Sequence, residues 1–497
     1  MLNSFRKLLR KMTLALILAA VLLTALPARV MADTPFQGFR YNFWGQLTPS
    51  PAAYVPIMAV RAQDICPSLG EFINPRHFRV DRYDNIYVSD TGNNRIVVFD
   101  LELNLVNVID SFILDGSMET FDAPQGIFIS DNLDIHIADT GNNRIVTLDR
   151  YGSLVRVLES PQSDILPEDF IFIPLQVLVG RDDVTYVIAR HVFEGIMVFD
   201  RYGEFLGYHG TIRVLYNALD ILWRSFMTAE QRARQRLFIP TEFLGMDIDE
   251  YGFIYTVNAE HMGSDRNLVM RLNPRGEDVL RNFNEDNRII GTHDWIPFGL
   301  YSGPSVFIDI VARENGVYSA LDTTRNRVYT YDSEGNLLYV FSGIGNIGGM
   351  THSPVAIDAV GDYMMILDAH RGQIIVFEPT LYGRLINEAI ALQYRNDDVA
   401  AVELWRELIT MDEHFALAFA GVGRAYFAAG NYRLAMEYLR RGMDLRYYSL
   451  AFVRHRTTTL HGSLEYVLNA MVVGIGILIL YKIYKAISAS RRKKVRV

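Results

Sequence analysis

The sequence predicts a mainly β fold, a six-bladed β-propeller followed by an α-helical segment and one transmembrane helix. The strongest sign is the segment DTGNNR at residues 90–95, which recurs unchanged at residues 139–144, 49 residues further along the chain. Alternating apolar runs flank both copies, and short strands that repeat at a period of about 40–50 residues are typical of propellers. Recurring turns and regularly placed prolines support the same fold.

The repeated segment is interpreted as a tight connection between two antiparallel strands. Gly92 can take a positive φ without a Cβ clash, and Asp90 can accept hydrogen bonds from the backbone N–H groups of the turn. Arg95 can tie the turn to Asp90 or to a neighbouring blade. A ligand-contacting role for the aspartates and arginines is the alternative. The motif residues are Asp90, Gly92, Arg95, Asp139, Gly141 and Arg144.

Weaker copies of these features indicate the number of blades. Degenerate copies of the motif begin at Asp322 and Asp368. Turns of the pattern Asp/Asn-x-x-Gly, placed between third and fourth strands, begin at Asp149, Asp200, Asn273 and Asp332. A proline opens each apolar run, at Pro75, Pro124, Pro174, Pro240, Pro304 and Pro354. These counts predict six blades.

The pattern resembles the NHL-repeat family of six-bladed propellers over residues of about 70–380. The resemblance implies four antiparallel strands per blade around a central channel. It implies no single activity, because relatives include RNA binders, protein-interaction modules, lyases and lactonases, and fold does not settle function.

Two segments depart from the regular repeat within the propeller domain, residues 33–380. The sixth blade lacks a downstream fourth strand, so we expect the stretch 54–60 to pair into it and close the ring, which removes an exposed sheet edge. Residues 211–237 carry apolar side chains at helical spacing. We expect this insertion between blades three and four to be a lid, a docking helix or a segment that packs on the blades without a functional role.

Both ends of the chain carry membrane-targeting features. Residues 1–32 have the basic start, apolar run and small residues of a signal peptide, with an uncleaved anchor as the alternative. Residues 464–487 are apolar enough to cross about 30 Å of hydrocarbon. The basic tail at residues 488–497 favours a cytoplasmic C-terminus. The propeller is therefore expected on the extracytoplasmic side of a cell membrane.

Residues 381–446 change to helical periodicity. Positions such as Ala401 and Ala435 recur 34 residues apart, and the second copy resembles a tetratricopeptide repeat. The resemblance implies two helix pairs with a groove for a protein or peptide. A plain helical stalk is the alternative. Residues 447–463 are then the juxtamembrane link.

Charge and cysteine content narrow the possible functions. Without the five basic residues of the signal and the seven from Lys482 onward, 36 basic residues face all 57 acidic ones, giving the outer part about −21. Such a field repels nucleic acid, so we expect no nucleic-acid partner. Cys66 is the single cysteine, which excludes an intrachain disulfide.

Polar residues that follow the opening prolines are candidates for lining the channel. They are Arg76, His77, Gln125, Gln176 and Glu242. Such groups suit hydrogen bonding to a sugar or to a peptide end. Gluconolactonase-like relatives imply a divalent cation on oxygen ligands at this axis, and lyase relatives imply zinc on histidines. Glu242 has no convincing companions and the histidines show no ligand spacing, so we assign no catalytic residue, metal site or cofactor.

These observations favour a membrane-anchored binding propeller. Its partner is expected to be a protein or a small polar ligand, and the chain is expected to serve a membrane transport or envelope complex. The alternative is a metal-dependent hydrolase or lyase, similar to gluconolactonases, that acts on an extracellular sugar lactone. A third hypothesis is a purely structural spacer.

Overall fold

The computed structural model describes residues 34–167, 169–210, 242–258, 268–280, 291–292 and 303–494. The predicted signal peptide, the insertion at 211–237, Pro240 and the last three residues lie outside this part of the chain. Within it, six sheets form a six-bladed β-propeller, as the sequence predicts, and helices follow.

The chain enters the ring through a hairpin, a single strand and a short helix. These are β1 (Gly38–Tyr41), β2 (Leu47–Ser50), β3 (Tyr54–Arg61) and α1 (Ala62–Ile65). Blade 1 consists of β4 (His77–Val80), β5 (Ile86–Asp90), β6 (Arg95–Phe99) and β7 (Leu105–Ile109). A separate hairpin, β8 (Ser111–Leu114) and β9 (Ser117–Thr120), connects blade 1 to blade 2.

The following blades repeat the same up-and-down order, with the first strand innermost. Blade 2 consists of β10 (Pro124–Ile129), β11 (Ile135–Asp139), β12 (Arg144–Leu148) and β13 (Leu154–Leu158). Blade 3 consists of β14 (Pro174–Val179), β15 (Thr185–Ala189), β16 (Ile196–Phe199) and β17 (Phe205–His209). In blade 4 the described strands are β18 (Phe243–Ile248), β19 (Ile254–Asn258) and β20 (Val269–Leu272).

The last two blades complete the ring. Blade 5 consists of β21 (Phe307–Ala312), β22 (Tyr318–Asp322), β23 (Arg327–Tyr331) and β24 (Leu337–Phe341). Blade 6 contributes β25 (Pro354–Val360), β26 (Tyr363–Asp368) and β27 (Gln373–Pro379). Its fourth strand is β3, which pairs antiparallel with β27 from Tyr54 opposite Pro379 to Arg61 opposite Gln373. The sheet that closes the ring therefore joins the two ends of the propeller sequence.

The strand order defines two faces of the ring. Turns between first and second strands, and between third and fourth strands, lie on one face, which we name the turn face. Second-to-third turns and the links from one blade to the next lie on the opposite face, the connection face. The recurring Asp/Asn-x-x-Gly turns occur on the turn face. In each, the side chain accepts backbone N–H groups two and four residues on, as at Asp149.

The repeated DTGNNR motif joins two antiparallel strands, as the sequence predicts, but its details differ from the sequence interpretation. The left-handed residue is Asn94, with φ of 55°, and not Gly92. Gly92 is required because a Cβ there would lie 2.6 Å from the carbonyl oxygen of Ile73. Asp90 accepts the Ile73 N–H, Asn93 Nδ2 and Arg95 Nε, each at 2.8 Å. It therefore joins the incoming link to side chains of its own turn, and these contacts replace the expected ones to the turn's backbone N–H groups.

The same clamp recurs around the ring. Asp139 accepts the Asp122 N–H and Arg144 Nε, each at 2.8 Å. A Cβ at Gly141 would collide with Asp122. The degenerate copies keep the carboxylate's role, because Asp322 accepts the Val306 N–H and Asp368 accepts the His352 N–H. The aspartates at these four positions are fully buried. This burial explains why the degenerate copies keep the aspartate although they have lost other residues of the motif.

Five helices follow the propeller. They are α2 (Leu381–Tyr394), α3 (Asp398–Met411), α4 (Ala416–Ala428), α5 (Tyr432–Arg441) and α6 (Leu445–Lys494). The first helices share one hydrophobic core with blades 5 and 6, in which Tyr54, Phe377, Tyr382 and Trp405 are buried. The predicted helical segment is confirmed, and its likeness to tetratricopeptide repeats stays a prediction.

The N-terminal hairpin ties the helices to the ring. Arg40 of β1 forms a buried ion pair with Asp412. Arg40 Nη1 also donates to the Tyr382 hydroxyl at 2.6 Å, and that hydroxyl donates to Asp412 at 3.1 Å. Because a buried charge needs its partner, this contact fixes the segment before the ring against the helices after it.

Helix α6 contains a candidate membrane span. Among the described residues, Leu445–Ser488 is the one helix that is long and apolar enough to cross a membrane, with a mean hydropathy of 2.0 in its most apolar stretch. That stretch has no buried residues. The predicted link at 447–463 belongs to the same continuous helix.

Candidate functional site

Three polar side chains lie at one level of the channel, on the innermost strands of alternate blades. They are His77, Gln176 and Asp309. Each accepts a hydrogen bond from a backbone N–H of the next blade, from Ile127 at 3.3 Å, Met246 at 2.9 Å and Ile357 at 2.9 Å. The intervening blades carry Gly126, Gly245 and Ala356 at this level.

Small residues at the intervening positions let the blades approach closely. A Cβ on Gly126 would lie 2.6 Å from the Cα of Gln176, and one on Gly245 would lie 2.7 Å from the Cα of Asp309. The alternation of polar and small residues therefore joins neighbouring blades in pairs. His77 and Gln176 serve this contact between blades.

A second level, two residues further along the innermost strands, is ionic. Arg79 of blade 1 pairs with Asp247 of blade 4, and its Nη1 lies 3.6 Å from Asp358 Oδ1 of blade 6. Blades 1 and 4 face each other in a six-bladed ring, so the pair spans the channel. The three side chains are buried. The channel is consequently closed at this level.

The carboxylates of this level are also hydrogen-bonded to backbone groups. Asp247 Oδ2 accepts the Ala312 N–H at 2.8 Å, and Asp358 Oδ2 accepts the Val80 N–H at 2.8 Å. A buried carboxylate with a guanidinium and backbone donors is a satisfied structural group. We name Arg79, Asp247 and Asp358 the axial ion network.

Burial changes the ionisation of groups around the axis. Loss of solvation, with a smaller effect of Arg79, lowers the pKa of His77 to about 3, so its imidazole is neutral. Its Nδ1 accepts the Ile127 N–H, which places the proton on Nε2, 4.0 Å from Asp309 Oδ2. Burial raises the pKa of Asp309 to about 7 and that of Asp358 to about 6, and Arg79 opposes both shifts.

Above the axial ion network, on the turn face, lies an open cavity of about 800 Å³, which we name the funnel. The network forms its floor. Helix α2 forms one wall, and side chains three or four residues apart share one side of a helix. The wall residues are Arg384, Asn387, Glu388, Ala391 and Arg395. Phe128, Asp131 and Glu314 line it from the propeller.

Polar contacts beneath the wall hold α2 in place. Arg313 donates to the Tyr339 hydroxyl at 2.9 Å, and its Nη2 lies 3.5 Å from Asp362. Asn387 Nδ2 donates to the same Asp362 carboxylate at 2.9 Å. Blades 5 and 6 and the helix therefore share one network, and the funnel has a fixed wall.

The sequence candidates are separated by the fold. His77, which is buried, and Gln176, which is partly buried, lie at one level below the axial ion network. Arg76, Gln125 and Glu242 stand at or before the start of innermost strands, at the connection face, and Glu242 accepts the His191 N–H at 3.2 Å. None of the five lines the funnel. Contact of these residues with a ligand stays a prediction.

The sequence gives only a weak signal for the axial ion network and for Asp309. Arg79, Asp247, Asp309 and Asp358 each interrupt a short apolar strand. That interruption is the available signal, because an ionisable residue inside a buried strand needs a partner. Which strands supply the partners depends on the ring, since Asp247 follows Arg79 by 168 residues.

No metal-binding cluster occurs among the described residues, in the sense of three or more His, Cys, Asp or Glu side chains placed to hold one ion. At the axis the Arg79 guanidinium lies between the two carboxylates. A positive charge that belongs to the chain itself therefore stands where the acidic groups converge.

Comparison with known proteins yields likenesses of fold. No protein-family model matches the chain, and no curated protein matches it significantly. Virginiamycin B lyase from Staphylococcus aureus is 12% identical, with 64% of this chain and 98% of the lyase covered and a TM-score of 0.39. A gluconolactonase from Xanthomonas campestris is 11% identical, with 70% and 96% covered and a TM-score of 0.37.

A third similar structure is an extracellular domain from B. thetaiotaomicron, of a chain described as a hybrid two-component system. It is 14% identical, with 61% of this chain and 33% of that chain covered and a TM-score of 0.33. At such identities the likeness concerns the propeller fold alone, and the function has to be argued from the site.

The raised pKa of Asp309 gives a first test of the axis. Between about pH 4 and pH 7 the folded chain holds this proton more tightly than the unfolded chain, so this group's contribution to stability falls as pH rises. Asp309→Asn removes that loss and keeps an oxygen for the Ile357 N–H. The melting temperature of the variant minus that of the wild type should therefore rise from pH 4.5 to pH 8. A difference that stays constant with pH contradicts the assignment.

Proposed function

We propose that the chain is a membrane-anchored, extracytoplasmic binding propeller that holds a small polar ligand in the funnel and serves a membrane transport or envelope complex. The observation that carries this proposal is the closed axis beneath an open, polar cavity. The floor is formed by groups that satisfy one another, while the wall offers charged and amide side chains to solvent.

The state of the floor favours binding over catalysis. A general base or a metal ligand needs a free lone pair. Asp247 and Asp358 direct their oxygens to backbone N–H groups and to Arg79. A divalent cation held by oxygen ligands would have to displace the guanidinium, so the metal-dependent hydrolase or lyase is less well supported.

The residues that line the funnel suit the hydrophilic end of a saccharide or peptide ligand. Arg384 and Arg395 can donate to carboxylate or hydroxyl oxygens, and Glu388 can accept from hydroxyl or ammonium groups. Phe128 adds an aromatic surface at the edge of the floor. A saccharide or the end of a peptide carries both kinds of polar group along with apolar faces, and it is the ligand class that we propose.

The membrane attachment rests on α6 and on the basic residues that end the chain. An apolar helix followed by arginines and lysines favours a cytoplasmic C-terminus. A signal peptide at residues 1–32 would export everything between the two. The protein would then present the funnel outside the membrane, where a transport or envelope complex meets its substrates.

A substitution in the wall tests the funnel. Ala391→Trp should fill the cavity from α2, and Ala400→Trp on the exposed side of α3 is the matched control. A ligand that binds the folded state raises the melting temperature. Defined oligosaccharides and short peptides are screened on the full chain in detergent. We expect at least one to raise the melting temperature by a few degrees in the wild type and in Ala400→Trp, but not in Ala391→Trp.

Two results contradict the proposal. One is an equal shift in Ala391→Trp, which places the ligand elsewhere. The other is hydrolysis of an aldonolactone by the wild type that chelation abolishes and that added divalent cation restores. That result establishes the enzymatic alternative and shows that the axial ion network opens in solution.

A further inference from the structure

The connection face carries a surface that neither the funnel nor the membrane helix explains. Four large apolar side chains there are strongly exposed, two of them in the link from blade 1 to blade 2 and two in the next link. They are Ile113 (65%), Met118 (76%), Ile165 (64%) and Ile171 (64%). Single exposed apolar residues are ordinary, but a group of them marks a contact surface.

The hairpin β8–β9 is built to present two of these side chains. Asp115 and Gly116 both have positive φ, at 51° and 82°, as a tight two-residue hairpin turn requires. Ile113 and Met118 are register partners and so project together. On the other side, Phe112 packs against Phe121 at 5.4 Å between ring centroids, which anchors the hairpin.

The same two links are acidic throughout. Residues 110–123 and 159–173 contain eight acidic residues and neither lysine nor arginine. The acidic residues are Asp110, Asp115, Glu119, Asp122, Glu159, Asp164, Glu168 and Asp169. Glu119 Oε2 lies 3.5 Å from Arg144 Nη1, and Asp110 accepts the hydroxyl of the adjacent Ser111 at 2.8 Å. We name the described residues of these two links the acidic–aliphatic patch.

The geometry points to a basic amphipathic segment of a protein partner as the occupant of the acidic–aliphatic patch. Such a segment covers isoleucine and methionine side chains with its apolar side and meets the carboxylates with lysine or arginine. An anionic lipid surface is repelled by the carboxylates. A second copy of the chain, joined through this same patch, would oppose like charges across the interface.

The test measures binding of a synthetic peptide to the full chain in detergent. The probe is a fluorescein-labelled helix of leucine and lysine, of about 20 residues. The comparison peptide carries glutamate in place of lysine. Fluorescence anisotropy should show binding of the basic peptide, weakening with added salt, and no binding of the acidic one.

Paired variants locate the site. Ile113→Ser with Met118→Ser removes only exposed apolar groups, so the melting temperature should stay unchanged while affinity falls by roughly tenfold or more. Asp164→Lys should weaken binding by charge. Leu206→Ser, an equally exposed leucine on the outer strand of blade 3, is the control and should leave affinity unchanged.

Three outcomes overturn the inference. Equal affinity in the double variant and the wild type places the peptide elsewhere on the acidic surface. Equal binding of the acidic peptide shows that charge does not select the occupant. Sedimentation that shows the wild type as a dimer and the double variant as a monomer assigns the surface to a second copy. None of these results touches the funnel, because ligand-induced melting shifts are measured separately.

Discussion

Arg79→Met is expected to destabilise the propeller more than any other single substitution at the axis. Two buried carboxylates, Asp247 and Asp358, lose their counter-charge, and removal of one member of a buried ion pair costs about 3–5 kcal/mol. The measurement is chemical denaturation of the full chain in detergent at pH 7.5. The loss should shrink as the pH is lowered through 6, because protonation of Asp358 removes one of the unpaired charges.

The matched controls separate charge from packing. Adding Asp247→Asn and Asp358→Asn to Arg79→Met removes the unpaired charges while each side chain keeps an oxygen for its backbone N–H, so much of the lost stability should return. Arg82→Met changes an exposed arginine on the neighbouring turn and should have little effect. An Arg79→Met variant as stable as the wild type at pH 7.5 would show that the three groups do not form a buried network.

Tyr54→Ala is expected to open the ring at its closing sheet. Tyr54 is fully buried, stacks on Phe341 at 4.7 Å between ring centroids, and donates its hydroxyl to the Asp362 carbonyl at 2.9 Å. Loss of an aromatic side chain from a core costs about 3–5 kcal/mol. Limited proteolysis should then cut before residue 62, since the strand that pairs with β27 has lost its anchor.

Two further variants control this prediction. Tyr54→Phe keeps the ring and loses the hydroxyl, so it should cost about 1 kcal/mol. Tyr83→Ala removes an exposed tyrosine from the turn face and should stay within about 0.5 kcal/mol of the wild type. A similar loss in Tyr54→Ala and Tyr83→Ala would contradict the role of β3 as the fourth strand of blade 6.

Local sequence patterns were enough to predict the ring. The contacts of the repeat at residues 90–95 and 139–144 are local in sequence, because each aspartate accepts a backbone N–H of a link only 17 residues earlier. The stretch 54–60, proposed from a missing strand in blade 6, lies in the strand that pairs with β27. Strand count and closure could therefore be argued without knowledge of distant contacts.

The candidate site could be predicted less completely from the sequence. His77 and Gln176 accept backbone N–H groups of the next blade, a contact that the sequence cannot show because it depends on the positions of Ile127 and Met246. The funnel needs α2 to fold back over the turn face. The periodicity of residues 381–394 predicts a helix but not its packing position, because that position depends on tertiary contacts.

We propose that the axial ion network closes the axis beneath a funnel that binds a ligand. An experimental density map of the full chain, soaked with Mn²⁺ and with a saccharide or peptide that raises its melting temperature, tests this most directly. We expect ligand density against Arg384 and Glu388, with the Arg79 guanidinium still between Asp247 and Asp358. A metal ion among those carboxylates, with Arg79 displaced, would contradict it.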